Sequence, residues 1–235
     1  MNPGHLKLTT YILVSGCGLV TAAAVSAHGI GGTDAAFVAS SRGVHFWPFL
    51  YLGAKHMVTG YDHLLFLLGV IFFVYRLSHV ALYVTLFSLG HSLTLLVGVL
   101  AGIHADPYLI DAIIGLSVSY KAFDNLDGFK RLFGFDLDPR LIVGAFGLVH
   151  GFGLASRLQR LHPPPEGLWQ NLTAFNLGVE IGQLIALSLM LGLIAAWRRL
   201  AGFQRQALLA NALILTAGLI LVEYQVAGYF LQRGE

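Results

Sequence analysis

The sequence has little of what a water-soluble or disulfide-stabilised protein needs. Only 11% of its 235 residues are charged and its mean hydropathy is +0.73, whereas soluble domains carry about 25% charged residues. The single cysteine, Cys17, excludes an internal disulfide and any thiolate cluster, so a metal site would use nitrogen and oxygen ligands. No Lys/Arg-rich run and no nucleotide-binding motif is present. We therefore expect an all-α integral membrane protein that binds neither nucleic acid nor nucleotides.

The N-terminus has the layout of a secretory signal peptide. Lys7 precedes an apolar stretch, and small residues at Val25-Ser26-Ala27 stand where signal peptidase cleaves. Cleavage after Ala27 would leave His28 as the first residue, with an amine and an imidazole that together can chelate Cu(II) or Ni(II). The alternative, which we favour, is an ordinary exposed histidine in a Gly-rich terminus. The apolar stretch is also almost long enough to cross a bilayer, so an uncleaved seventh helix is the alternative.

Six further apolar segments are long enough to cross a bilayer as helices, which takes about 20 residues. The predicted organisation is a signal peptide (1–27), a periplasmic N-terminal segment (28–47) and a bundle of six transmembrane helices (48–235). Lys and Arg are more frequent in the connections that are cytoplasmic if the mature N-terminus is periplasmic, which indicates a multi-pass protein of the inner membrane. The predicted spans are 48–75, 79–103, 107–126, 140–158, 168–197 and 206–231.

Glycines recur at four-residue spacing inside two of the predicted helices. They include Gly147 and Gly151 in one helix and Gly178 and Gly182 in another, with Gly144 and Gly153 nearby. Small residues at this spacing let helix backbones approach closely in lipid, so we expect a tightly packed bundle.

Polar residues inside the first span form an H-x5-D-H pattern. Charge at the centre of a bilayer costs about 2.5–3.5 kcal/mol on insertion scales, so such residues usually face the bundle interior and have a function. His56 and His63 are seven residues apart, close to two helical turns, so one continuous helix would project both rings from one face with Asp62 beside them. This geometry suits two nitrogen ligands of a metal ion, with Asp62 either as an oxygen ligand or as the hydrogen-bond acceptor behind a ligand.

Three later helices contribute polar residues at a depth similar to that of His63. They are His91, His150 and Glu180, and the spacing of Asn176 and Gln183 predicts that these amides share a face with Glu180. Imidazole with carboxylate suits zinc, nickel, cobalt, iron or copper. We therefore predict one metal site formed by His56, Asp62, His63, His91, His150 and Glu180.

A second set of polar residues is expected to support this site. Ser88 lies one turn before His91, and the span 107–126 ends with Lys121, Asp124 and Asn125. Lys121 and Asp124 are three residues apart, which predicts either an internal ion pair or a role in releasing the ion.

Four motifs in one order connect the chain to a known family. They are YDHLLF at 61–66, GHSLT at 90–94, GLVHGFG at 147–153 and FNLGVEIGQ at 175–183. With the H-x5-D-H pattern and a signal followed by His28, they resemble the HupE/UreJ family of nickel and cobalt permeases, and most closely its HupE/UreJ-like second branch. The resemblance implies a six-helix bundle and nickel or cobalt uptake. Permeases of this family carry a second histidine pair where this chain has only His150, and Asp124-Asn125 stands where Glu-Asn is expected.

The sequence leaves three functions open. The favoured one is a permease, in which the polar residues hold a divalent ion transiently during passage. The alternative is an intramembrane zinc-type hydrolase, with Asp62 or Glu180 as general base. In the third, the buried polar residues only hold helices together. The expected partners are a metal ion (Ni, Co or Zn) and the lipid bilayer, and the oligomeric state, including a homo-oligomer, is open.

Overall fold

The computed structural model of the protein describes residues 32–233, and within that range the chain is all-helical and contains no strand. The predicted signal peptide and His28 lie outside the described residues. In chain order the helices are α1 (Gly32–Ser40), α2 (Phe46–Thr59), α3 (Tyr61–Ile71), α4 (Leu77–Leu100), α5 (Pro107–Asn125), α6 (Gly128–Phe133), α7 (Pro139–Arg160), α8 (Leu168–Trp197) and α9 (Phe203–Arg233).

Several of these helices are suited to a membrane. Within the described range, α4, α7, α8 and α9 are long and apolar enough to cross a bilayer. Helix α3 is apolar but short, and α5 carries Asp111, Lys121 and Asp124 along its 19 residues. The protein is therefore a multi-pass membrane protein, as its composition predicts.

Helices α4 and α7 pack in parallel through glycines. A Cβ added at Gly147 would lie 2.9 Å from the Phe87 Cα, and one added at Gly151 would lie 2.9 Å from the carbonyl carbon of His91. Such close backbone approach is how helices associate in lipid. The predicted packing role is confirmed for these two glycines, whereas a Cβ at Gly144 would meet nothing within 4 Å.

Helices α2 and α8 form a second parallel pair. Gly178 lies against the backbone of Leu50, and a Cβ at Gly182 would lie 2.7 Å from the Ala54 carbonyl oxygen. The contacts advance in the same direction along both helices. The packing role predicted for Gly178 and Gly182 is therefore confirmed as well.

Helices α5 and α9 form the third pair, and they are antiparallel. A Cβ at Gly115 would lie 3.1 Å from the Gly218 carbonyl oxygen, while Gly228 packs on Tyr108. The contacts give the relative direction of the two helices in each pair. Contacts of Asp111, near the start of α5, with Arg157, near the end of α7, and of Asn125, at the end of α5, with Gly69, near the end of α3, relate the pairs to one another. We call the end where α2, α5 and α8 begin the proximal end, and the end where α4, α7 and α9 begin the distal end.

Candidate functional site

The centre of the bundle contains a break between α2 and α3. Gly60 separates the helices with φ −76° and ψ 99°, and its N–H donates to the His56 carbonyl oxygen at 2.9 Å. A Cβ here would lie 3.1 Å from His63 Nδ1. The prediction of one continuous helix through this region is wrong, because glycine has a low helix propensity and the His63 ring packs against the turn.

His63 is the central member of a group of four histidines, which we call the histidine cluster. Its ring centre lies 5.0 Å from that of His150, 5.2 Å from that of His56 and 5.9 Å from that of His91. His63, His91 and His150 are at most 4% exposed. The cluster therefore draws one imidazole from each of α2, α3, α4 and α7, and the break does not separate His56 from His63.

Hydrogen bonds set the orientation of two of these rings. His63 Nδ1 lies 3.0 Å from Asp62 Oδ1, and because a carboxylate only accepts, Nδ1 carries the proton. His150 Nδ1 donates to the Phe146 carbonyl oxygen at 2.8 Å. In the neutral state both rings then present a lone pair on Nε2. A carboxylate behind the imidazole, as Asp62 is behind His63, is how proteins usually orient a metal-binding histidine.

Buried polar atoms in this region lack hydrogen-bonding partners. Neither ring nitrogen of His91 has one among residues 32–233, and the same holds for His63 Nε2 and for both amide atoms of Asn176. Leaving such a group unsatisfied costs about 1–3 kcal/mol. The lone pair of an imidazole nitrogen suits a transition-metal ion as the partner. The donor set of the cluster therefore fits such an ion.

The side chains do not form a closed metal shell as they stand. No group of three or more His, Cys, Asp or Glu side chains within 32–233 is arranged to hold a metal ion. His63 instead meets the other histidines in separate pairs. A structural or catalytic zinc site usually has three or four protein ligands around one point, which this arrangement does not provide.

A small cavity lies on the proximal side of the cluster. Its volume is about 20 Å³, which exceeds the 10–15 Å³ needed for one water molecule. Its polar lining comprises His56, Asp62, His63, His150, Asp111 and Arg157. The lining of this cavity therefore includes three imidazoles and two carboxylates.

Three phenylalanines, which we call the phenylalanine layer, close the distal side of the cluster. Phe66, Phe87 and Phe146 each lie one helical turn distal to the histidine on the same helix. Ring centres of Phe66 and Phe87 are 5.2 Å apart, and those of Phe66 and Phe146 are 5.8 Å apart. Phe87 also contacts the His150 ring at 5.0 Å. The layer separates the histidines from the distal end with apolar side chains.

Beyond the phenylalanine layer is a larger cavity, the distal vestibule. Its volume is about 490 Å³, and its charged lining comprises Lys121, Asp124, Asp127 and Asp136. Lys121 Nζ lies 2.5 Å from Asp124 Oδ2, which confirms the predicted ion pair. Asn125, in the same lining, donates to the Gly69 carbonyl oxygen at 2.8 Å and so ties α5 to α3.

The predicted polar face of α8 is divided in the structure. Gln183 is buried and accepts a hydrogen bond from Ser88 at 3.0 Å, and Asn176 is also buried. Glu180 is exposed on the outer surface of the bundle, so the structure does not bring it to the histidine cluster. The three residues lie near one helical face, as predicted, but Glu180 lies just past the edge of the buried arc of α8, whereas the two amides lie within it.

Sequence reasoning missed two charged residues beside the cluster. Asp111 is 4% exposed, and Arg157 donates to it from α7 across 46 positions in sequence. Asp111 is an isolated acid in an otherwise apolar stretch of α5, and this is the signal that could have found it. Arg157 looks in the sequence like an ordinary helix-end charge.

Comparison with known proteins gives one match. A family profile described as HupE / UreJ protein matches residues 32–233, which is the whole described range. This match extends through α9, beyond the residues on which the sequence resemblance rests. No curated protein and no solved structure matches the chain.

Proposed function

The chain belongs to the HupE/UreJ family, and from that premise we propose that it is a permease for a divalent transition-metal ion, nickel or cobalt in the first place. The observation that supports this most strongly is the order of features along the bundle. The proximal cavity, the histidine cluster, the phenylalanine layer and the distal vestibule follow one another. Polar sites on both sides of an apolar constriction are a usual layout for an ion pathway.

In this proposal the chain crosses the membrane six times, and α2 with α3 forms one broken span. The directions of the packed pairs support this count. Alternating spans require α2 to run with α8, α4 to run with α7, and α5 to run against α9, and the glycine contacts have these directions. Broken helices at mid-membrane depth often form ion and substrate sites.

The charge distribution supports a cytoplasmic distal end. Cytoplasmic connections usually carry the excess of Lys and Arg. The distal end has seven such residues, Arg76, Lys130, Arg131, Arg140, Arg198, Arg199 and Arg205, and the proximal end has five, Arg42, Lys55, Arg157, Arg160 and Arg233. We therefore place the start of α2 on the periplasmic side of the inner membrane, downstream of a cleaved signal peptide.

Transport requires ligands that bind an ion and then release it. Conduction needs binding that is weak and spread over several sites. The other imidazoles meet His63 in separate pairs. This arrangement suits weak binding at several positions better than it suits one tightly bound metal ion. The ion would pass from the proximal cavity along the histidines, cross the phenylalanine layer, and leave through the acidic vestibule that contains Asp124.

The test is metal uptake by the purified protein in liposomes. We expect wild type to admit Ni²⁺ or Co²⁺ and His63→Ala and His91→Ala to admit little, because each removes a donor from the pathway. His104→Ala, which changes an exposed histidine between α4 and α5, is the matched control. Elemental analysis of the liposome contents gives the readout.

Two results would contradict the permease. The first is a wild type that admits neither Ni²⁺ nor Co²⁺, whereas equal uptake by wild type and both cluster variants would contradict only the role of the histidines. One zinc ion per chain that survives dialysis against a mild chelator, together with hydrolytic activity that depends on Asp62, would favour the intramembrane hydrolase.

A further inference from the structure

The ion pair of Asp111 and Arg157 stands at the proximal cavity. Arg157 lies seven residues after His150 on α7, so its side chain starts from the same helix face about 10 Å nearer the proximal end. Its guanidinium donates to Asp111 Oδ2 on α5. The Asp111 side chain is only 5% exposed and that of Arg157 is 23% exposed. Both residues line the cavity that reaches Asp62 and His63.

A buried pair of this kind is weak support for a purely structural role. The desolvation of two charges offsets most of their attraction, and apolar replacements of similar size often give equal or higher stability. Charges inside membrane helices usually belong to substrate or ion pathways. Both members of this pair line the polar cavity that also contains His56, Asp62, His63 and His150.

Resting on the permease proposed above, we propose that Asp111 is the first carboxylate to bind an incoming divalent cation, and that Arg157 is a tethered cation which occupies it until then. The arriving ion competes with the guanidinium for the same carboxylate oxygens. When the guanidinium is displaced, the cavity opens toward His63 and Asp62. When the ion has moved on, Arg157 returns and closes the proximal side.

The experiment titrates Ni²⁺ against the melting temperature of the detergent-purified full chain, in parallel with Ni²⁺ uptake into liposomes. In Arg157→Gln we expect the half-saturating Ni²⁺ concentration to fall about tenfold, equivalent to ~1.4 kcal/mol of lost competition. In Asp111→Asn we expect it to rise about tenfold. Arg160→Gln removes the same charge from the exposed face of α7 and should match wild type.

The double variant Asp111→Asn/Arg157→Gln gives the decisive comparison. If Arg157 acts by competing for Asp111, its removal changes nothing once Asp111 is neutral, so the double variant should equal Asp111→Asn. Additive effects, or an Arg157→Gln variant that matches wild type, would overturn the proposal. Arg157→Lys and Asp111→Glu keep the charges and should remain near wild type, which provides folded variants if the neutral ones fail to fold.

The same data separate this proposal from the permease itself. Wild type that responds to Ni²⁺, with His63→Ala unresponsive and every Arg157 variant unchanged, would refute only the role of the ion pair. Wild type that neither binds nor admits Ni²⁺ or Co²⁺ would refute both.

Discussion

Asp62 and His63 are adjacent in the chain, and their side chains contact each other, with Oδ1 and Nδ1 3.0 Å apart and both residues 4% exposed. Neighbouring residues on a regular helix project about 100° apart, and this contact forms nonetheless in the first turn of α3, directly after Gly60. The carboxylate fixes the tautomer of the imidazole that lies at the centre of the histidine cluster.

Neutralising this carboxylate should weaken metal binding more than it weakens the fold. We expect Asp62→Asn to lower the affinity for Ni²⁺ by about 10–100-fold, as is typical when the acceptor behind a metal-binding histidine is changed. The measurement is Ni²⁺-dependent thermal stabilisation of the purified protein. Unaltered affinity in Asp62→Asn would show that His63 does not depend on its neighbour.

For Glu180, a second carboxylate of the predicted site, we expect the opposite result from that for Asp62. Because it is exposed on the outer surface of α8 and away from the cluster, Glu180→Gln should keep Ni²⁺ uptake within about twofold of wild type, a change below ~0.4 kcal/mol. Uptake into liposomes by the two variants, measured side by side, checks this. A loss of uptake as large as that of Asp62→Asn would show that Glu180 contributes to the ion pathway.

Asp62 and Glu180 also show which features of the fold and site the sequence predicts and which it does not. The helical segment 168–197 has its predicted ends, since an apolar run flanked by polar residues and Gly167 defines them. The rotation of that helix depends on which face packs against α2, and that information is in the partner helix. The break at Gly60 was missed because the apolar stretches before and after the polar run 55–63 together have the length of one membrane span, and they were joined into a single helix.

The ion pair of Asp111 with Arg157 could not be predicted from the sequence, for a different reason. Its members belong to helices whose relative position is set by packing, and neither spacing nor periodicity relates residues 46 positions apart. The histidines were found because an imidazole at the centre of an apolar segment is conspicuous on its own.

A side chain at Gly60 should disturb the turn and the His63 ring. In Gly60→Ala the added Cβ would meet His63 Nδ1 at 3.1 Å and the His56 carbonyl oxygen at 3.1 Å, so the ring must move or the turn must open. We expect a loss of Ni²⁺ uptake and a destabilisation of about 1–3 kcal/mol, typical of overpacking. Gly144→Ala, where the methyl group meets nothing within 4 Å, is the control and should retain both. Thermal unfolding and uptake of the same preparations provide the measurement.

The phenylalanine layer should control the rate of transport rather than the affinity. Phe146 is only partly buried, so Phe146→Ala removes part of the constriction without emptying the core. Apolar constrictions gate by excluding water. We therefore expect faster Ni²⁺ flux at an unchanged half-saturating concentration, and near-normal flux in Phe146→Leu. A flux in Phe146→Ala no higher than that of wild type would place the barrier elsewhere.

Arg198 should stabilise the distal end of α3. Its Nη2 donates to the carbonyl oxygens of Ile71, Phe72 and Val74 at 2.7–3.1 Å, and its guanidinium lies 4.1 Å from the Tyr75 ring centre. Hydrogen bonds from a charged group contribute about 1.5–3 kcal/mol. Arg198→Ala should therefore lower the melting temperature measurably in detergent. The exposed neighbour Arg199 provides the control, because Arg199→Ala should leave the melting temperature unchanged.

The glycine contacts also assign the members of the histidine cluster to different helix pairs. His91 and His150 belong to α4 and α7, whose backbones are in close contact. His56 belongs to the other parallel pair, α2 with α8. His63 follows Gly60 on the short helix α3, so the imidazole that contacts the other three lies outside both of these glycine-packed pairs.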